Sequence, residues 1–246
     1  MNILVCISKA PDTTTKISFT DGDTKFNEDG VQFIVNPYDE WYALVRALEL
    51  KEAQSGKVTI VSVGGADYEP IMRKALAIGA DDAVRIDAQP TDAYQVAAEI
   101  SNYAKDKGFD LIIAGKETID YNGSQVAGMI AAIMDLPYVS NAISLEVDGA
   151  TATLERDKQG GTEVLSASTP LVISAAKGMA EQRIPNMRGI MAARTKPLQV
   201  VPASGADTLT ETVSYELPPA KGDVKLIDPE NMEELVNLLH NEAKVI

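Results

Sequence analysis

The sequence predicts an α/β fold: a doubly wound, mostly parallel, Rossmann-like sheet with a small antiparallel extension and a C-terminal arm plus helix. Three observations carry that expectation. Apolar, β-branched runs at residues 3–7, 58–63, 83–86 and 111–114 have the length and composition of strands buried on both faces. Stretches with helical spacing of apolar residues lie between them and read as crossovers. Past residue 140 the rhythm changes to short strands joined by Asp148-Gly149 and Gly160-Gly161 turns, the signal of antiparallel pairing.

Taken in order, the strand at 3–7 is followed by a helix whose buried face is Trp41, Leu44, Val45 and Leu48. After the strand at 58–63, a helix over 68–78 ends at Gly79, and after that at 83–86 a helix with Val96, Ala97, Ile100 and Tyr103 inward stops before Gly108. The strand at 111–114 leads into a helix expected over 122–135, with Val126, Met129, Ile130 and Ile133 buried and Pro137 ending it. Strands at 144–147, 150–154 and 164–168 form the extension, and the run at 171–175 returns to the main sheet. From about Pro202 to Asp228 the chain is rich in Pro, Gly, Ser and Thr and reads as an extended arm. Asp228-Pro229 then starts a helix with Met232, Leu235, Val236 and Leu239 on one face. The expected organisation is an α/β domain over 1–200 and an arm with its helix over 201–246, which needs a surface to dock on.

Composition narrows the chemistry. A net charge of −14 repels polyanions, so nucleic acid is not an expected partner. No apolar run approaches ~18 residues, so membrane insertion is not expected. With the first strand at Ile3 there is no room for a signal or transit peptide, and the expected location is the cytoplasm. One cysteine and one histidine, Cys6 and His240, leave no Cys/His metal cluster and no local triad, so neither a metal site nor histidine catalysis is expected.

Two segments stand out. Residues 110–126 place a strand, then the small-residue loop Gly115 to Ser124, ahead of a helix, which is where a doubly wound sheet binds its ligand. Backbone N–H groups of Gly123, Ser124, Gln125 and Val126 at a helix start suit a phosphate; the alternative is that Asn122 only caps the helix and the glycines only turn. Gly64-Gly65 would let the backbone approach a ribose or base, and Asn36-Pro37-Tyr38-Asp39-Glu40 opens the first helix with an amphipathic ring. The second segment, residues 183–197, carries Arg183, Arg188, Arg194 and Lys196 with no acid, around Met187, Ile190 and Met191. It reads either as a docking surface for proteins or as a short helix with its apolar residues turned inward.

Lys9-Ala10-Pro11-Asp12, Asn36 to Glu40, Ala77-Ile78-Gly79-Ala80-Asp81, residues 110–126 and Arg188-Gly189-Ile190-Met191 with Lys196-Pro197 resemble electron transfer flavoprotein β subunits, in order and across almost the whole chain. The resemblance implies an electron carrier with no catalytic residue of its own, paired as a heterodimer with an α subunit that holds FAD. Such a pair takes electrons from acyl-CoA dehydrogenases of fatty acid β-oxidation, and from other dehydrogenases, and passes them to a membrane quinone reductase. It also implies a structural AMP in this subunit, at Cys6, Asn36, Pro37, Tyr38, Asp39, Val63, Gly115, Asp120, Asn122, Gly123, Ser124, Gln125 and Val126. Thr13 and Tyr38 match flavin-proximal positions, and residues 183–197 match the loop that recognises dehydrogenases, with Met187 where the family has an anchoring leucine. Some family members hold a second FAD in place of AMP and bifurcate electrons from NADH. Those typically have Gly-Pro-Pro where this chain has Gly64-Gly65-Ala66, while the Gly123-Ser124 pair departs from both versions of the phosphate loop.

Two other classes share the sheet and its glycine loops. A stand-alone ATP-binding regulatory module has no need of the arm and last helix. An adenylating enzyme usually has Ser-Gly-Gly after its first strand, where this chain has Ser8-Lys9-Ala10.

Overall fold

The β-branched runs form strands in the computed structural model, which describes residues 1–246. In chain order the elements begin with β1 (Asn2–Cys6), β2 (Lys9–Pro11), β3 (Phe19–Thr20), β4 (Lys25–Phe26), β5 (Phe33–Val35), α1 (Asp39–Gln54) and β6 (Lys57–Val63). A short 3₁₀ turn, Ala66–Tyr68, then leads to α2 (Glu69–Ile78), β7 (Asp82–Asp87), α3 (Ala93–Ala104), β8 (Leu111–Gly115) and α4 (Val126–Met134). The rest comprises β9 (Tyr138–Asp148), β10 (Thr151–Lys158), β11 (Gly161–Ser168), β12 (Leu171–Ala175), α5 (Met187–Ala193), β13 (Leu198–Pro202) and α6 (Met232–Asn237). The chain divides into two compact units, Met1–Ser214 and Tyr215–Ile246.

Nine strands form one sheet in the order β11-β10-β9-β12-β8-β1-β6-β7-β13. From β9 to β13 all neighbours are parallel, and β10 and β11 add antiparallel pairs at one side. Strand alternation sorts the core into two layers. Ile3, Val5, Ile60 and Ile113 meet Leu44 and Leu48 of α1 and Met72 and Leu76 of α2. Leu4, Val61, Val84 and Ile112 meet Ala97 and Ile100 of α3 and Ile130 of α4. Each central strand is therefore buried on both faces, which its unbroken apolar sequence requires.

The extension continues the main sheet, because β9 pairs with β12 over its first residues before turning outward. Where β9 outruns β12, Arg46 and Gln54 of α1 supply the missing donors to the Leu145 and Val147 carbonyls. Five features differ from the sequence reading. Ile133, expected on the buried face of the fourth helix, is 42% exposed, and the last helix, expected from Asp228-Pro229, starts at Met232 with Asn231 as its cap. The edge strand β13 was masked by Pro197 and Pro202, which a sheet edge tolerates. The small hairpins β2–β5 and β3–β4 are too short to show a period. The helix expected from Asn122 begins at Val126, since Asn122 and Ser124 take positive φ of 48° and 51° that no helix accommodates.

Residues 203–231 carry no helix or strand. Within the first unit, the chain leaving β13 is held on α3 by carboxylates. Buried Glu99 accepts from the N–H groups of Ser204, Gly205 and Ala206 at 2.7, 3.0 and 2.9 Å. Asp92 caps α3 through Gln95 and accepts from the N–H groups of Leu209 and Thr210. Burial opposes ionisation of Glu99, but the Ser204, Ala206 and Gly205 bonds outweigh it and hold the carboxyl below its usual range. In the second unit, α6 runs on into one π-helical turn, Leu238–Glu242, with Met232, Leu235 and Val236 exposed.

Replacing Glu99 with Ala is expected to cost about 1–3 kcal/mol, because three N–H groups lose a charged acceptor. Urea unfolding reads the loss, and amide exchange at residues 204–206 should accelerate. Since the folded carboxyl is depressed, the wild-type advantage is present above the ordinary glutamate pKa and lost as pH falls through the folded value.

Candidate functional site

The sheet has a topological switch point between β1 and β8: the chain runs outward from β1 to β6 and β7, then crosses back to β8 and on toward β9 and β12. In doubly wound sheets the ligand crevice lies at the carboxyl ends of the strands beside such a point. Its floor is made by the residues that open α1. Asn36, buried, donates to the Glu117 carbonyl at 3.0 Å and accepts from the Ile119 N–H at 2.9 Å, so one amide fixes the loop after β8. Asp39 accepts from the Glu117 N–H at 3.3 Å. Glu40, also buried, accepts from the N–H and hydroxyl of Ser8 at 2.9 and 2.8 Å, which ties α1 to the end of β1. Burial pushes the Glu40 carboxyl up to about 8 despite the Ser8 bonds, and the charges of Asp120 and Asp39 add to the rise. Asp39 is raised too, chiefly by burial.

Gly115 has no side chain because α1 occupies the space: a β-carbon there would lie 2.8 Å from Glu40 Cγ and from the Glu40 backbone nitrogen. Its role is therefore packing of α1 on β8. Beyond it, Asp120 and residues 122–125 form an exposed rim. Asn122 donates its N–H to the Thr118 carbonyl, but the N–H groups of Gly123, Ser124, Gln125, Val126, Ala127 and Gly128 meet no protein acceptor. The first bond of α4 is made by Met129. The left-handed residues Asn122 and Ser124 fold this run into a concave donor surface ahead of a helix dipole. Such a surface fits a phosphate, and a β-carbon at Gly123 would meet nothing within 4 Å, so the approach is open.

On the other side of β1, Cys6 and Val63 are buried at the strand ends and belong to the layer under α3 and α4. Burial first, then the charge of Glu40, pushes the Cys6 thiol far above its ordinary range, so it stays protonated. The expectation that Gly64-Gly65 leaves backbone free for a ribose or base is corrected here. Gly64 donates to the Ile86 carbonyl at 3.0 Å, its carbonyl accepts from Arg85 at 2.9 Å, and the Tyr68 ring covers its open face. Asp67 and Gln89 crowd Gly65 in the same way.

The electron transfer flavoprotein domain model matches residues 23–206. Identity is 39% to the electron transfer flavoprotein subunit beta of Bacillus subtilis (strain 168), with both chains fully covered. It is 34% to that of Syntrophomonas wolfei, over this whole chain and 98% of the relative, and 30% to that of Homo sapiens, over the whole chain and 99% of the relative. The chain belongs to the electron transfer flavoprotein β-subunit family. The names of these relatives are those of electron carriers, and no helix here is long and apolar enough to cross a membrane.

Thr13 and Tyr38, expected near the flavin from the resemblance, are both exposed. Thr13 sits in the turn that Asp12 closes by accepting from Thr14, and Tyr38, at φ 67° ahead of α1, leaves its ring over half exposed, at 55%. Pro37 lies beside it, half-buried. The segment at 183–197 divides. Arg183 forms a bidentate pair with Glu52 at 2.7 and 3.1 Å, and its carbonyl accepts from Trp41. Lys196 reaches back to the Leu76 and Ala80 carbonyls, capping α2, and Arg73 donates to the Ala193 and Lys196 carbonyls. Those contacts bolt α5 to α2, where Gly189 lies so close to the Ala77 carbonyl that no side chain fits. What remains outward is Met187, Ile190 and Met191, with Arg188 and Arg194 exposed beside them. The apolar residues thus face solvent while part of the basic set is structural, the reverse of an ordinary amphipathic helix.

Sequence reasoning gave Ser8, Lys9, Glu40 and Tyr68 no individual role. Glu40 lies inside a quoted motif, but its burial depends on Gly115, 75 residues away in the chain.

Glu40→Gln tests the buried acid. Unfolded, Glu40 ionises near 4.5 and folded near 8, so between those values the unfolded state holds fewer protons and stability falls as pH rises. Wild type should lose stability relative to Glu40→Gln by about 1 kcal/mol per pH unit across that window. Thermal melts of both proteins from pH 5 to 8 check it; parallel curves would exclude a neutral Glu40.

Proposed function

We propose that this chain is the β half of a heterodimeric electron transfer flavoprotein whose α subunit carries FAD, and that it holds AMP in the switch-point crevice as a structural ligand. The single observation that carries the nucleotide reading is the run of six N–H groups, residues 123–128, with no protein acceptor at the end of β8. A phosphate would take those donors, with Asn36 and Asp39 holding the loop behind them. Burial favours the protonated form of Glu40, which lowers the repulsion an anion would otherwise meet from the floor.

In this reading the FAD of the α subunit supplies the redox chemistry, and this chain supplies orientation and docking. Tyr38 and Thr13 contribute exposed side chains toward the flavin. The patch on α5 receives acyl-CoA and other dehydrogenases, with Met187, 73% exposed, as the anchor; Ile190 and Met191 flank it and Arg188 and Arg194 steer acidic partners. A quinone reductase takes the electrons onward, and the cytoplasm is the place of action. The arm and α6, with their exposed apolar residues, are the part of this chain that would dock on the α subunit.

Co-expression with an α-type subunit, followed by chromatography of the released nucleotides, tests the assignment. One FAD and one AMP per heterodimer are expected; two FAD and no AMP would make this a bifurcating type that uses NADH. In the same complex Met187→Asp should reduce electron transfer from an acyl-CoA dehydrogenase by more than roughly tenfold, the effect of a charge on a desolvated anchor, with flavin content unchanged. Unaltered transfer would remove Met187 from the docking surface.

A further inference from the structure

At the carboxyl end of β6, Tyr68 carries a hydroxyl that no protein group takes. Tyr68, at the end of the 3₁₀ turn, donates its N–H to the Gly65 carbonyl at 3.1 Å and lays its ring flat on Gly64. A β-carbon at position 64 would lie 2.4 Å from that ring, so glycine there exists to seat Tyr68. The ring is held from above as well. Lys9, its side chain 7% exposed, stands 5.5 Å from the Tyr68 centroid and 3.8 Å from that of Phe33, and is paired with Asp67 at 2.5 Å and Glu28 at 3.1 Å. Gly64 and Lys9, from two separate parts of the chain, therefore close on one aromatic side chain.

The hydroxyl of Tyr68 bonds to no protein atom. Burial, and then the charges of Asp67, Asp120, Glu28 and Glu40, push it up to about 12, so it keeps its proton and remains a donor. Its ring lies on Gly64, the residue directly after β6, so the side chain stands at the carboxyl edge of the sheet next to the end of β1. The backbone beside it offers nothing in its place, since the N–H and carbonyl of Gly64 are both taken by the protein.

The unpaired donors at residues 123–128 mark the phosphate end of the crevice, beyond β8. From β8 across β1 to β6 is two inter-strand steps, about 10 Å, the reach of a mononucleotide from phosphate to base. We propose that Tyr68 is a specificity-determining residue of this subunit: its ring walls the base end of the crevice, and its hydroxyl donates to a ring nitrogen of the bound purine. The proposal rests on the reading of the crevice as a nucleotide site. It makes base recognition the task of a side chain from the turn after β6, and phosphate recognition the task of backbone at the start of α4.

The test uses the full heterodimer stripped of its nucleotide, with AMP binding measured by equilibrium dialysis and inorganic phosphate as a competitor. Tyr68→Phe keeps the ring on Gly64 and should weaken AMP roughly two- to tenfold, the loss of one hydrogen bond, while the phosphate inhibition constant stays unchanged. Tyr68→Leu, which also removes the aromatic wall, should weaken AMP further and narrow its preference over a pyrimidine monophosphate. AMP affinity equal to wild type in both variants, or equal losses for AMP and phosphate, would overturn the assignment of Tyr68 and leave the nucleotide site standing. A wild-type heterodimer that binds no AMP would overturn the nucleotide site itself, and the role of Tyr68 with it.

Discussion

Glu40, buried at the topological switch point, is the contact on which the rest of the crevice depends. It binds Ser8 at the end of β1, sits in the space that Gly115 leaves at the end of β8, and belongs to the first turn of α1. One side chain thus ties the start of α1 to the ends of two strands. A carboxyl in that position is costly when charged, and the protein meets the cost by favouring the protonated form. Asn36 repeats the device with a neutral group, satisfying a carbonyl and an N–H of the loop after β8 with a single amide. The floor of the site is therefore rigid and fully bonded, while the donors of residues 123–128 are left over. That contrast between a saturated floor and an unsaturated rim is what a ligand-binding crevice needs, since the ligand then completes bonds without competing for them.

The same economy separates two other surfaces of the molecule. Along α5, the polar contacts that hold the helix and the turn after it to α2 are made by Arg73 and Lys196. The methionines and Ile190 are then free to stay exposed, because the helix does not rely on burying them. Flexible, polarizable side chains on a rigidly mounted helix suit a surface that meets more than one protein. On the opposite side of the fold, α3 uses Asp92 and Glu99 to direct the chain after β13, so the departure of the arm is set by backbone hydrogen bonds and requires no apolar contact.

Much of this was legible in the sequence. Unbroken β-branched runs with helical spacing between them determined a parallel, doubly wound sheet, because only burial on both faces tolerates such strands. The order of motifs pointed to the family, and Asn36 to Glu40 and residues 115–126 were placed at one sheet edge by topology alone. What only the tertiary structure decided was which glycines are filled by the fold and which are left open. Gly64 and Gly115 look alike in the sequence to Gly123, yet the first seats Tyr68, the second admits Glu40, and only the third faces open space. Likewise a run of basic residues carries no sign of which ones will find carbonyls on a neighbouring helix. The physical reason is the same in each case: backbone propensity and apolar period are local and survive in the sequence, whereas a close approach or a paired charge depends on residues tens of positions away that only folding brings into contact.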